Sequence, residues 1–183
     1  MNNIAKPYHR FISYLIDFSI FNLPFILLVH WISSSSELNT LLDRVVNLLI
    51  ILLFLSIILP FIKSFMVSSY GGTFGKLLTG TTIVDTEDNK LSFWKAYFRN
   101  HIGYMVSSML IWLGFIWIFV SKENKAWHDM IAGTYVKIVN KSMVLAGLVV
   151  AIIIITLNIY LVKNSISNFK SNSNIYSQLV NLD

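Results

Sequence analysis

Arg10 and Asp17 are the first residues of this sequence whose types and spacing could support chemistry. They are seven residues apart, which on an α-helix places both on one face, about 10 Å apart along the axis. Asp17 falls inside an apolar stretch, where a carboxylate costs on the order of 2.5–3.5 kcal/mol, so it should face protein or water, near Arg10 or Arg99. Two interpretations follow: an ion or proton site, or a polar clasp that only orients helices.

His128 and Asp129 form a second pair that could serve acid–base chemistry. No nucleophile and no third metal ligand lies near them in the sequence, and the other histidines lack metal-ligand spacing. A capping or interfacial role is therefore the simpler interpretation. The chain has no cysteine, which excludes thiolate metal sites and disulfides. We expect no metal, no cofactor and no enzymatic reaction.

The glycine-rich segment 71–76 (GGTFGK) invites comparison with a phosphate-binding loop. Such a loop needs glycine, four residues, and then Gly-Lys-Ser/Thr. Here Lys76 is followed by Leu77, and Tyr70 stands where the first glycine should be. Because paired glycines break a helix, the segment predicts a tight turn at a membrane surface rather than a phosphate site.

The elements that must position these residues are apolar helices. Of the 183 residues, 55% are hydrophobic and 13% charged, against about 25% charged residues in soluble domains, so lipid must cover part of the surface. Three stretches are long enough to span a bilayer, and residues 102–120 form a shorter fourth. The three are Phe11–Ile32, Val45–Ile62 and Met143–Val162. The net charge of +5 is explained by loops held against anionic lipid, and no separate basic patch indicates nucleic acid.

Loop charges bear on the topology of the fourth stretch, because cytoplasmic loops carry an excess of lysine and arginine. With the amino terminus inside, the excess lies inside whether residues 102–120 span or re-enter. If they enter and leave by the same face, the lysines that follow them also become cytoplasmic and the excess grows. Charge therefore favours a re-entrant segment broken near Gly114 or Ser107-Ser108, whereas apolar length favours a full span. Both alternatives stay open.

Two β-prone runs lie outside the apolar stretches: Thr81–Asp85 and Thr134–Val139. A lone strand leaves its backbone groups unpaired, so the two should form a short surface β pair. That pairing requires both runs on one side of the membrane. Between them, Ser92 can cap a helix over Phe93–Arg99 whose aromatic side chains would lie on lipid.

Several of these residues, taken in chain order, resemble the RDD family of membrane proteins, named for one arginine and two aspartates. The resemblance covers about residues 5 to 140 and rests on Arg10, Asp17, Gly72, Gly75, Lys76, Gly80, Arg99, His128, Asp129 and Gly133. It implies that Arg10, Asp17 and Asp129 bind an ion or ligand and that the others are structural. Phe74 departs from the proline common in the family. Transport, including cation/proton antiport in some members, has been suggested for the family.

We therefore expect an all-α integral membrane protein with three transmembrane helices, a fourth apolar segment that spans or re-enters, and a short surface β pair. Residues 5–140 would form the RDD-like membrane domain, 141–163 an additional C-terminal transmembrane helix, and 164–183 a polar mobile tail. The expected location is a bacterial inner (plasma) membrane, with multiple passes. The expected partners are the lipid bilayer and either further copies of the chain or other membrane proteins.

Two functions remain open at this stage. The first is a small transporter of cations, protons or another ligand that uses Asp17. The alternative is a non-catalytic membrane scaffold or assembly factor whose polar residues only fix helix packing.

Overall fold

Long helices dominate the computed structural model, which describes residues 3–109 and 113–180. In this described part, three helices are long and apolar enough to cross a membrane. They are α1 (Pro7–Ser33), α2 (Leu38–Tyr70) and α8 (Met143–Ser171). The predicted fold class, a helical membrane protein with three transmembrane helices, is confirmed.

The shorter elements lie mainly between α2 and α8. They are α3 (Phe74–Leu78), β1 (Thr81–Asp85), α4 (Phe93–Phe98), a π-helical turn (Arg99–Gly103), α5 (Tyr104–Met109), α6 (Leu113–Ile116), a 3-10 turn (Trp117–Phe119), α7 (Trp127–Ala132), β2 (Thr134–Ile138) and, after α8, α9 (Ser173–Val180). The glycine segment ends α2, since Gly71 adopts a φ of 82°. Ser92 caps α4 as predicted, because its hydroxyl accepts a hydrogen bond from the backbone N–H of Lys95.

The predicted β pair is confirmed. Strands β1 and β2 are antiparallel, with Thr81 opposite Ile138 and Asp85 opposite Thr134. Ala5 adds to this sheet, since its N–H donates to the Val136 carbonyl at 2.8 Å. The chain therefore leaves the sheet after Asp85 and returns to it at Thr134. The two ends of this region, one before α4 and one after α7, lie at the same sheet.

The fourth apolar segment is bent. The helical stretches Phe93–Met109 and Leu113–Phe119 are inclined by 104°, as in a broken span or a re-entrant loop. Residues 110–112, which separate the two stretches, lie outside the described residues. They fall between the two positions where the sequence suggested a break. Gly114 instead permits a close contact, because a Cβ there would lie 2.5 Å from the Cα of Ser107.

The chain divides into two compact units. The first comprises Met1–Phe18 and Ile58–Ala151. Its buried apolar cluster lies around the β pair and consists of Ala5, Val67, Ile83, Leu91, Ala96, Val136 and Ile138. All residues singled out by the sequence belong to this unit.

The second unit comprises Ser19–Ile57 and Ile152–Asp183. Polar contacts join α8 to α1 here: the Asn158 amide donates to the Ser19 carbonyl at 3.1 Å, and Asn168 to the Ser33 hydroxyl at 3.4 Å. Helix α8 runs through Lys163 to Ser171, so the segment expected to be a tail begins as helix.

Candidate functional site

Asp129 is the centre of a buried ion-pair network. Its side chain has no exposed surface. Oδ2 accepts a hydrogen bond from Arg10 Nη2 at 2.5 Å, and Oδ1 accepts one from Arg99 Nη2 at 2.5 Å. Two guanidinium groups therefore share one carboxylate. We call Arg10, Arg99, His128 and Asp129 the Asp129 centre.

Local structure fixes the position of Asp129. It lies in the first turn of α7, and Oδ2 also accepts a hydrogen bond from the Ala126 backbone N–H at 2.9 Å, as an acidic residue does at a helix start. Helix α7 ends at Gly133, whose φ of 59° is left-handed, and the chain turns into β2. No atom lies within 4 Å of a Cβ added at Gly133, so this glycine serves backbone conformation rather than close packing.

Arg99 is completely buried, and all three of its nitrogens have partners. Nε donates to Thr134 Oγ1 and Nη1 to Asn100 Oδ1, both at 3.1 Å, while Nη2 binds Asp129. The π-helical turn carries Arg99 and Asn100. The sequence assigned Arg99 a structural role, and these contacts join the π-helical turn to α7 and β2.

Burial and neighbouring charges shift the pKa values of Asp129 and His128 in the Asp129 centre. Burial would raise the pKa of Asp129, but the guanidinium groups of Arg10 and Arg99 hold it well below its usual range. Burial lowers the pKa of His128 well below its usual value, and the two arginines act in the same direction. Asp129 is therefore ionised and His128 neutral at physiological pH.

His128 lies against Ser107. The backbone N–H of His128 donates to the Ser107 hydroxyl at 3.0 Å, and that hydroxyl lies 3.3 Å from Nδ1. Nε2 lies 3.5 Å from both Arg10 and Asp129. The imidazole thus lies between α5 and the ion pairs. Of the two residues for which a capping or interfacial role was the simpler interpretation, Asp129 caps α7.

Asp17 has a different set of partners. Oδ2 accepts a hydrogen bond from Thr73 Oγ1 at 2.5 Å, and Oδ1 accepts one from the Gly75 backbone N–H at 2.8 Å. Lys76 Nζ lies 3.6 Å from Oδ2. The Asp17 side chain keeps 13% of its surface exposed. We call Asp17, Thr73, Gly75 and Lys76 the Asp17 centre.

The expected pairing of Asp17 with Arg10 or Arg99 is wrong. Both arginines bind Asp129, and the cation beside Asp17 is Lys76. Although Arg10 and Asp17 share a face of α1, they are nearly two helical turns apart, so they contact different elements. Arg10 faces α7, whereas Asp17 faces the start of α3.

The glycines of the turn permit close approach of backbones. A Cβ on Gly75 would lie 1.9 Å from the Ser13 carbonyl oxygen, so only glycine lets α3 pack on α1. A Cβ on Gly72 would lie 2.9 Å from the Cβ of Lys76. Gly80, with a φ of 65°, accepts hydrogen bonds from the N–H groups of Val139 and Asn140 at 2.8 and 3.0 Å. The turn therefore directs a hydroxyl and an amide at Asp17 rather than at a phosphate.

Thr73, Asn100 and Ser107 were not predicted as site residues. Each supplies a short polar side chain to a buried charge or to His128. Thr73 lies inside the glycine segment, and Asn100 follows Arg99. Their positions next to predicted site residues are the feature of the sequence that could have identified them. Within residues 3–109 and 113–180, no group of three or more histidine, aspartate or glutamate side chains could hold a metal ion.

The long apolar helices and the two carboxylate centres define a helical membrane protein in which charged side chains are collected around one small sheet and the bent segment. The chain belongs to the RDD family: the model described as "RDD family" matches residues 4–133. Both centres fall within the matched residues, and α8 lies beyond them.

The chain is also similar to one curated protein. The chain is 30% identical over 142 residues to "Uncharacterized protein YckC" of Bacillus subtilis (strain 168), which covers 73% of this chain and 86% of that protein. No solved structure matches the chain.

Proposed function

We propose that this protein is a small transporter of cations or protons in which Asp17 is the ion-responsive carboxylate. The observation that carries the proposal is the set of partners around Asp17. A hydroxyl and a backbone amide hold the carboxylate, and the Lys76 ammonium group lies 3.6 Å from it. A carboxylate inside an apolar span is expensive to maintain and is by default a functional candidate.

Asp129 does not suit this role. Both of its oxygens are bound by guanidinium groups in a fully buried environment, and a backbone N–H adds a further hydrogen bond. A cation would have to displace two permanently charged arginines. Of the three residues expected to bind an ion, we therefore retain Asp17 and assign Arg10 and Asp129 to helix packing.

A scaffold or assembly factor is the second candidate function. The Asp129 centre favours it, because Asp129 binds both Arg10 and Arg99 and so joins α1, α7 and the π-helical turn. A polar network of this kind can specify one arrangement of helices without any transport. The two candidate functions differ in the role of Asp17: a transporter requires it to respond to an ion, whereas a scaffold requires it only to fix helix packing.

The remaining parts of the proposal concern location and assembly. The protein spans a bacterial plasma membrane several times, carries out no enzymatic reaction, and works as a homo-oligomer or with other membrane proteins, since three or four helices are few for a transport path. Residues 102–120 re-enter from the cytoplasmic side. Pairing of β1 with β2 supports re-entry, because it brings both ends of this region to one sheet.

The test is ion flux in proteoliposomes that contain the full chain. Wild-type protein should exchange sodium or potassium for protons, and Asp17→Asn should abolish the exchange while leaving the amount of folded protein unchanged. Asp88→Asn is the matched control, because Asp88 makes an exposed ion pair with Lys137. Absence of flux in wild-type vesicles would contradict transport and favour the scaffold; equal flux in wild type and Asp17→Asn would exclude Asp17.

A further inference from the structure

Lys76 is a buried lysine of α3 that lies beside Asp17. Its side chain keeps 10% of its surface exposed, and burying an ammonium group is unfavourable unless it is paired. Nζ lies 3.6 Å from Asp17 Oδ2 and donates a long hydrogen bond of 3.4 Å to Thr73 Oγ1. The Lys76 ammonium group therefore lies beside the Asp17 carboxylate without making a short hydrogen bond to it.

The three partners of Asp17 differ in how easily they can be removed. Thr73 and Gly75 make hydrogen bonds of 2.5 and 2.8 Å to the carboxylate. The separation of 3.6 Å between Lys76 and Asp17 is an ion pair beyond hydrogen-bonding distance. Lys76 also has a flexible four-carbon stem, so its head group can move while α3 stays in place.

Other charged or titratable groups act on Lys76 from the neighbouring elements. Lys63 of α2, Tyr104 of α5 and His128 of α7 interact with it electrostatically, in addition to Asp17 of α1. Lys63 and Lys76 repel each other, which opposes tight retention of both ammonium groups near one carboxylate. This arrangement favours a head group that can leave Asp17 and return.

We propose that Lys76 is a tethered competitor of the transported cation at Asp17. This inference rests on the proposed transport function. A cation that reaches Asp17 takes the place of the Lys76 ammonium, while Thr73 and Gly75 continue to hold the carboxylate. Return of the ammonium then displaces the cation, which is released. Lys76 thus keeps the site neutral when the cation is absent and accelerates release.

Two substitutions at Lys76 should change sodium transport in opposite directions. Lys76→Gln removes the competitor, so the KM for sodium should fall about tenfold, and the maximal rate should also fall because release slows. Lys76→Arg replaces the ammonium with a guanidinium, which can bind a carboxylate through two parallel hydrogen bonds. A stronger competitor should raise the KM for sodium about tenfold. General damage to the fold does not lower KM.

The experiment is proton-coupled sodium flux in proteoliposomes, measured over a range of sodium concentrations for wild type, both Lys76 variants and Lys122→Gln. Lys122 is exposed, so Lys122→Gln is the control that removes one positive charge at an exposed position. If Lys76→Gln does not fold, the Lys76→Arg result decides. A KM that falls with glutamine supports the proposal, and, where only Lys76→Arg folds, a KM that rises with arginine does so. This proposal is overturned, and the proposed function is kept, if the folded Lys76 variants show wild-type flux with an unchanged KM or if Lys76→Gln shows a higher KM. Absence of flux in the wild-type protein overturns the proposed function.

Discussion

Asp17 and Asp129 are the two aspartates on which the resemblance to the family rests, yet their surroundings differ in kind. Asp129 is fully buried and is bound by two arginines and a backbone N–H. Asp17 keeps part of its surface exposed and is bound by a hydroxyl and a backbone N–H, with a lysine nearby. Both carboxylates have hydrogen-bond partners, but Asp129 is bound by two guanidinium groups, whereas the cation beside Asp17 is an ammonium 3.6 Å away.

The difference follows from the chemistry of the two cations. A guanidinium is planar, permanently charged and directional, so Arg10 and Arg99 hold their geometry around one carboxylate. An ammonium on a flexible stem acts as a point charge and is more readily exchanged. Two aspartates of one family signature therefore have different partner residues, and the proposed function assigns them different roles: helix packing to Asp129 and ion response to Asp17.

The largest effect is expected at the Asp129 centre. Asp129→Asn removes the charge that two buried arginines share, and loss of one partner of a buried ion pair destabilises by about 3–5 kcal/mol. The variant should therefore show little folded protein after detergent extraction, measured as the monodisperse fraction in size-exclusion chromatography. Asp88→Asn, at an exposed pair, should behave as wild type. If Asp129→Asn were as stable as the control, the Asp129 centre would not hold the helices together.

A smaller effect is expected where α3 packs on α1. In Gly75→Ala the added Cβ would meet the Ser13 carbonyl oxygen, and overpacking of this kind costs about 1–3 kcal/mol. Because α3 must move away, the residue 75 N–H should also lose its contact with Asp17, and ion flux should fall.

Gly133→Ala is the matched control for this substitution. It meets no atom within 4 Å but strains a left-handed backbone, at about 1 kcal/mol. Thermal unfolding should detect destabilisation in both variants, and only Gly75→Ala should lose flux out of proportion to its stability. Equal flux per folded molecule in the two variants would argue against a role for the Gly75 N–H.

His128 provides a pH test of the Asp129 centre. Its pKa is lowered on folding, chiefly by burial, so below about pH 6.5 the unfolded chain binds a proton that the folded chain does not. The contribution of neutral His128 is complete above that pH and is lost as the pH falls, by at most about 1.4 kcal/mol per pH unit.

The measurement is the unfolding temperature between pH 5 and pH 8 in detergent. His128→Gln should reduce the decrease at acidic pH, whereas His101→Gln, at an exposed position, should leave it unchanged. A wild-type curve that is flat across this range would mean that His128 is not held neutral.

The sequence predicted the long helices and the β pair for physical reasons that act locally. Long apolar stretches have no alternative to spanning helices, and Thr81–Asp85 and Thr134–Ile138 pair because isolated strands leave backbone groups unsatisfied. The bend in the fourth apolar segment could not be derived, since its apolar composition suits either a span or a re-entrant loop.

The residues that bind the two aspartates could not be predicted from the sequence. A spacing of seven residues indicates that Arg10 and Asp17 share a helix face, but it does not tell which element approaches each turn of that face. Close approach of α3 to Asp17 depends on the missing side chain of Gly75, an effect visible only when the two backbones are together. Thr73 gains its role from the same approach.

The central claim is that Asp17, unlike Asp129, responds to a cation, and binding to the folded protein tests it most directly. Sodium that binds at Asp17 should raise the unfolding temperature of the wild-type protein in detergent, relative to choline at equal ionic strength; tenfold excess over the dissociation constant corresponds to about 1.4 kcal/mol. Asp88→Asn should keep this sodium-dependent increase, and Asp17→Asn should lose it while still folding. An increase in Asp17→Asn equal to that of wild type would contradict the account.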